Sequence, residues 1–205
     1  NSQFDRVIYN LNSKINIKAE IHNQYYQTKD QLISNNKISS ENYRFFPMSG
    51  IFIETPIKHK EKSILITPKV SLIVNSSQKN KNEISNEDST NQTVNIASQS
   101  ELNRFSGTDK LDNSQRLLYG FNISLNNLSS SFSQNYEFDT KSDYNKEIGN
   151  TRNLSDAFLE STLNFKKTEI NHNLRYSPHN EKIRSQSLGI ANNNLLGDFS
   201  MSYHD

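Results

Sequence analysis

Two short stretches hold the side chains whose types and spacing could do chemistry. Asn86, Glu87, Asp88 and Ser89 set two adjacent carboxylates beside a hydroxyl. Asn103, Arg104, Phe105, Gly107, Asp109 and Lys110 crowd a guanidinium, an aromatic ring, a glycine, an acid and an ammonium into NRFSGTDK. A carboxylate pair can serve general acid–base catalysis when its two pKa values are driven apart. Adjacent acids in a loop more often form turns or ion pairs, and that is the expectation for Glu87 and Asp88. Asp109 is expected to pair with Arg104 or Lys110 and pin the loop, with Gly107 allowing a tight bend and Phe105 packing inward. No nucleophile-and-base set, phosphate-cradling glycine loop or nucleotide motif accompanies them. The histidines at 22, 59, 172, 179 and 204 share no metal-ligand spacing on one face, so the expectation for them is a solvated or inward-facing role. The chain therefore reads as a non-enzyme with no catalytic, cofactor-binding or metal residue.

Composition narrows the classes further. The net charge of +1 argues against a nucleic-acid partner held by phosphate attraction. The chain has no Cys, which excludes disulfides and thiol chemistry within it. Only 32% of residues are hydrophobic and the mean hydropathy is −0.82, both low for a soluble core. Disorder is one way to reach such values. The apolar residues, however, fall in alternating register. No apolar run of about eighteen residues, enough for a membrane-spanning helix, occurs. Because the chain starts at Asn1 and ends within a strand-like pattern, it reads as an internal fragment, so the lack of a signal peptide carries no information.

The elements that must position the two stretches are strands. After NRFSGTDK, Leu117, Tyr119, Phe121, Ile123 and Leu125 alternate with Leu118, Gly120, Asn122, Ser124 and Asn126, one oily face against one mostly wet face. The same period marks ten strands, over residues 2–11, 15–26, 43–58, 63–75, 117–126, 128–139, 156–166, 170–176, 183–192 and 195–203. Residues 28–42, 76–114, 140–154 and 177–181 read as longer links, alternating with short turns near Asn12, His59, Asn126, Lys167 and Asn193. Pro47 and Pro56 each remove a ladder donor, which predicts a bulge or break at one of them in the third strand. In residues 183–192, Leu188 and Ile190 favour one register, Ile183 and Ala191 the other. Tyr25, Tyr43, Phe45, Tyr119, Tyr136, Phe138, Tyr176 and Tyr203 fall near the long-link end, as an interfacial girdle would. An antiparallel sheet over a soluble core would also alternate. The asymmetry of the links, the girdle and the lack of a helical layer favour a membrane barrel instead. The expected fold is all-β: an antiparallel up-and-down transmembrane β-barrel segment, about ten strands of a larger barrel.

NRFSGTDK, an irregular link and then Leu118, Tyr119 and Gly120 resemble the NRFxGxDR…YGL signature of the lipopolysaccharide-assembly outer-membrane protein family, LptD, formerly the organic solvent tolerance proteins. NEDS at residues 86–89 resembles the PNEDS box that precedes this signature in the alphaproteobacterial branch. Lys110 stands where the family has Arg, and Ile84 and Ser85 where a Pro is common; Lys keeps the charge but loses the planar fork. The resemblance implies that residues 1–205 are a partial outer-membrane barrel domain, with the 76–114 loop extracellular or lumenal. It implies a translocon assembling lipopolysaccharide at the surface of the bacterial outer membrane. Its partners would be lipopolysaccharide, outer-membrane lipids, a periplasmic bridge protein and, in parts of the family, a plug lipoprotein. A passive porin-like channel and a secreted adhesin-type β protein are the alternatives.

Overall fold

The computed structural model describes residues 1–33, 36–84, 86–89, 94–192 and 199–204. Its strands are β1 (Ser2–Asn10), β2 (Ser13–Ile33), β3 (Asn36–Glu54), β4 (Ile57–Lys58), β5 (Ile64–Asn75), β6 (Gln115–Leu125), β7 (Leu128–Glu137), β8 (Ala157–Phe165), β9 (Thr168–Ser177), β10 (Lys182–Asn192) and β11 (Phe199–His204). Two one-turn helices, α1 (Ile96–Gln99) and α2 (Asp143–Glu147), interrupt the long links. Every long strand pairs antiparallel with its neighbour in sequence, β1-β2-β3-β5-β6-β7-β8-β9-β10-β11, and the two-residue β4 sits beside β5. The sheet is open, an up-and-down segment of a larger β-barrel.

Register turns the alternation into a surface. Ile17, Ile51, Leu72, Leu117 and Tyr136 face one another across five strands, and Ile53, Val70 and Tyr119 form the next row. Ile51, Val70 and Leu72 remain 44%, 46% and 42% exposed, so no second layer of the described chain covers this face. Arg6, opposite Ile17, interrupts it on the edge strand β1. The other face carries the charges: Lys69 pairs with Glu54 at 3.2 Å, and Lys18 lies 5.4 Å from the centre of the Phe52 ring. An apolar face turned to lipid and a charged face turned to water are what a membrane barrel requires. The substitution Val70→Lys should therefore cost about 2–4 kcal/mol near the midplane, against little for Thr67→Lys, on the opposite face and only half-buried. Denaturant titration of the folded protein in lipid vesicles measures the difference.

Three local features depart from the alternation. Residues 28–42 are not a loop: β2 runs to Ile33 over 21 residues and β3 starts at Asn36, over 19. A membrane strand needs about 9–11 residues, so this hairpin extends well past the hydrocarbon. Past the hydrocarbon, lipid no longer requires one side of a strand to be oily. The chain breaks between β3 and β4, at Thr55 and Pro56, rather than at Pro47. Ser76 N–H donates to the Pro47 carbonyl at 2.9 Å, which puts the proline nitrogen on the β5 side, one step past the last ladder pair, Met48 with Asn75. The missing donor breaks no ladder bond there. In β10, Ile183 pairs with Tyr176 but Ser185 with Arg175, so Arg184 is an extra residue, a bulge. The bulge reverses parity, and both Ile183 and Leu188 face the oily side.

The short turns come at one end of the sheet. Leu11 and Asn12 both take positive φ, 46° and 65°, as a two-residue hairpin turn requires. The turn expected at Asn193 and Asn194 lies outside the described residues, as does the side chain of Tyr203. His172 lies on the oily face rather than inward, where Gln186 Nε2 donates to its Nε2 at 2.9 Å. Among the described residues no helix is long and apolar enough to cross a membrane.

Candidate functional site: a clasped loop on the polar face

Toward the long-link end the inner face stops being polar. Phe46 and Met48 of β3 and Ile73 of β5 point inward, and Leu102 and Leu111 of the 76–114 segment pack on them into a dry cluster. Burying each such side chain is worth roughly 1.5–3 kcal/mol, which offsets the entropy of ordering a long connection. The segment thus folds back onto the face opposite the oily one. α1 is held by a capping box between Asn95 and Ser98, and Gln99 at its end accepts a 2.7 Å hydrogen bond from Ser133 of β7.

On that platform the two motif stretches meet. The Asp88 carboxylate accepts the backbone N–H of Thr108 at 2.9 Å and that of Asp109 at 2.9 Å, together with the Thr108 hydroxyl at 3.1 Å. In return the Asp109 carboxylate accepts the N–H of Glu87 at 2.8 Å and that of Asp88 at 3.0 Å. Ser89 Oγ donates to Asp88 and accepts the Lys110 N–H at 2.9 Å, while Asn86 accepts the Ser89 N–H at 3.1 Å. The result is a reciprocal clasp in which each acid satisfies the other stretch's backbone. Gly107 sits inside it at φ +75°, and a methyl group there would lie 2.5 Å from both the carbonyl oxygen and Oδ1 of Asp88. Glycine is required twice over, by the left-handed backbone and by the close approach.

The Asp109 side chain therefore pairs with neither Arg104 nor Lys110. Lys110 meets Glu147, the last residue of α2, at 2.6 Å. Arg104, 2% exposed, is the hub of a second layer beneath the clasp. Its Nε donates to Asp112 at 2.6 Å, Nη1 to Glu137 of β7 at 2.7 Å, and Nη2 to Ser114 at 2.8 Å. Arg116 of β6 donates to the same Asp112 oxygen at 3.0 Å, to Ser114 at 2.7 Å and to the Glu101 carbonyl. Two guanidiniums and two carboxylates, all but sealed from water, sum to zero charge. Tyr144 of α2 closes the site: its ring lies 4.0 Å from the Arg104 guanidinium and packs edge-on to Phe105 at 5.3 Å. Phe105 is itself buried. Asn103 knits the motif, accepting the Phe105 and Asp112 N–H groups.

Electrostatics hold both layers in one ionisation state. Burial opposes the charge on Asp112, but Arg104 and Arg116 outweigh it and hold the carboxyl below the ordinary carboxylate range. Burial likewise opposes the charge on Arg104, and Asp112 and Glu137 raise its pKa above the usual value. For Asp88 desolvation is the largest single effect and raises the pKa, but the hydrogen bonds from Asp109, Ser89 and Thr108 together outweigh it and depress the pKa strongly. A carboxyl depressed in the folded state contributes stability in full above its unfolded value and loses it as pH falls through the folded value. The clasp should therefore stay shut from neutrality down through the ordinary carboxylate range and open only in stronger acid. Cleavage of the 76–114 segment by an acid-active protease checks this, and Asp88→Asn, which cannot ionise, should flatten the dependence.

The YG pair lies on β6. Tyr119 is on the oily face, where its hydroxyl donates to Gln134 of β7 at 2.6 Å. Gly120 is inward, and a Cβ there would lie 2.1 Å from the Phe132 carbonyl oxygen, so β7 can approach only a glycine. Neither residue touches the clasp. Asp112, Ser114, Arg116 and Tyr144 complete the site without having been singled out from sequence, and Glu137, which strand parity places on the polar face, is buried there against Arg104 rather than solvated. Asp112 and Arg116 could have been found from parity, since Arg116 continues the inward series of Leu118 and Gly120 and lies four residues from Asp112. Arg44 of β3, which donates to the Asp109 carbonyl at 2.6 Å, gave no local signal. Among the described residues no group of three potential ligands could hold a metal ion.

An open antiparallel sheet, oily outside and charged inside, with its longest connection folded onto the charged face, defines the class: a bacterial outer-membrane β-barrel protein. The family model for LptD, LPS transport system D, matches residues 3–204. The chain belongs to the LptD family, whose role is lipopolysaccharide transport and assembly at the bacterial outer membrane, and which is not an enzyme family. No curated relative matches the chain.

Proposed function

We propose that this sheet is part of the wall of the translocon that assembles lipopolysaccharide at the cell surface, with the 76–114 segment folded into its lumen as a fixed internal element. The observation that carries this reading is the two-sidedness of the sheet. Its uncovered oily face suits hydrocarbon, and its polar face, lined by Lys18, Glu54 and Lys69, suits a hydrated glycan. The NEDS and NRFSGTDK stretches then set the shape of the passage and perform no chemistry, because their polar groups are spent on one another. In this reading lipopolysaccharide arrives from a periplasmic bridge protein, its acyl chains leave through a lateral opening, and a plug lipoprotein can share the lumen.

A passive channel is the competing reading, and the two make opposite predictions. Depleting the protein should stall lipopolysaccharide on the inner side and remove it from the surface. Normal surface display after depletion, with loss only of small-solute flux in a liposome assay, would establish the channel instead.

A further inference from the structure

The buried quartet around Arg104 is balanced. A second arginine cluster on the same polar face is not. Between the 138–156 link and the β9–β10 hairpin lies a cavity of about 290 Å³ lined by Arg152, Arg175, Arg184, His179 and Asp156. Asp156 is the carboxylate among these residues. Arg175 Nε donates to its Oδ2 at 2.6 Å, and Arg184 Nε lies 3.5 Å from the same oxygen. Three guanidiniums against one carboxylate leave two positive charges in surplus.

Two features aim this surplus into the cavity. Arg175 is half-buried and lies 5.5 Å from the centre of the Phe158 ring, which steadies a planar cation. Arg184 is the bulged residue of β10, and its guanidinium lies on the polar face beside Asp156. Bulges recur beside functional sites. The terminal nitrogens of all three guanidiniums have no protein acceptor among the described residues. Guanidiniums with unspent forks match the oxygens of a phosphate or a carboxylate.

We propose that Arg152, Arg175 and Arg184 form a binding site for the anionic substituent of a sugar, a phosphate monoester or a carboxylate, on the polar face of the sheet. Asp156 is the internal competitor that holds Arg175 and Arg184 together while the site is empty. This deepens the lipopolysaccharide reading and rests on it for biological meaning, but the binding itself does not require transport.

The test is titration of the intact protein in detergent micelles, followed by ligand-observed NMR, with glucose 6-phosphate, glucuronate and glucose. Glucose 6-phosphate should bind, glucuronate should bind more weakly, and glucose should not bind. The order of the two acids separates the phosphate source from the carboxylate source. R175A/R184A should weaken binding by on the order of tenfold. R175K/R184K, which keeps the charge and loses the fork, should fall between, and D156N should tighten binding. Equal binding of glucose and glucose 6-phosphate would overturn the site. So would unchanged binding by an R175A/R184A protein whose folded mobility on unheated gels is native. Failure of these titrations leaves the depletion experiment untouched, and failure of the depletion experiment leaves the anion site standing.

Discussion

Arg104→Met should destabilise the folded 76–114 segment by about 3–5 kcal/mol, the usual penalty for removing one partner of a buried ion pair. The substitution leaves Asp112 and Glu137, both fully buried, facing Arg116 alone. Glu137 loses its 2.7 Å donor, and Ser114 and the Tyr144 ring lose the cation between them. Arg116 cannot take over, because it is already committed to Asp112, Ser114 and the Glu101 carbonyl. The expected result is a protein whose sheet still forms, since the oily rows do not involve Arg104, but whose segment is open. Trypsin should then cut at Lys79, Lys81 and Lys110 at concentrations that leave the parent intact. Arg104→Lys should be only partly protective, because one ammonium cannot reach Asp112, Glu137 and Ser114 in the planar arrangement a guanidinium provides. A segment as resistant in R104M as in the parent would remove the quartet from any role in holding it.

Gly107→Ala should cost about 2–5 kcal/mol in the same segment. Roughly 1–2 kcal/mol comes from an L-residue in the left-handed region, and about 1–3 from forcing a methyl group into an occupied space. The space is occupied by Asp88, so the carboxylate that accepts the Thr108 and Asp109 N–H groups must move and the clasp must loosen. Gly149 offers an internal control. It also has positive φ, +70°, but nothing lies within 4 Å of its added Cβ. Gly149→Ala should therefore show the backbone strain alone. Protease resistance of the segment should fall far more in G107A than in G149A, and equal losses would mean that the contact with Asp88 contributes nothing. Surface display of lipopolysaccharide in cells carrying G107A then reports whether the clasped shape matters to transport, the part of the proposal that stability cannot address.

What the sequence determined by itself is the period and the punctuation. Strand geometry sends alternate side chains to opposite faces whatever the strand pairs with, so the oily series Leu117, Tyr119, Phe121, Ile123, Leu125 could be read without a partner. Turn positions at Asn12, Asn126 and Lys167 are likewise local. So is the family signature, since NEDS and NRFSGTDK are contiguous strings. Local information failed past the hydrocarbon: residues 28–42 look like a loop because a strand outside the lipid need not alternate. It failed again at β10, where the bulge at Arg184 makes a regular surface out of an irregular string.

Partnership was decided only by the tertiary structure. Arg104 and Asp109 are five residues apart and invite pairing, yet Arg104 reaches Asp112 and, 33 positions along the chain, Glu137. The reason is that Asp109 is already claimed by the backbone of Glu87 and Asp88, 22 and 21 residues away. Which donor meets which acceptor depends on how 76–114 lies across β3, β5 and β6, and that path is set by Leu102 and Leu111 docking on Phe46, Met48 and Ile73. Charge pairs follow from that docking. Their residue types are written in the sequence; their geometry exists only once the loop has found the inner face of the sheet.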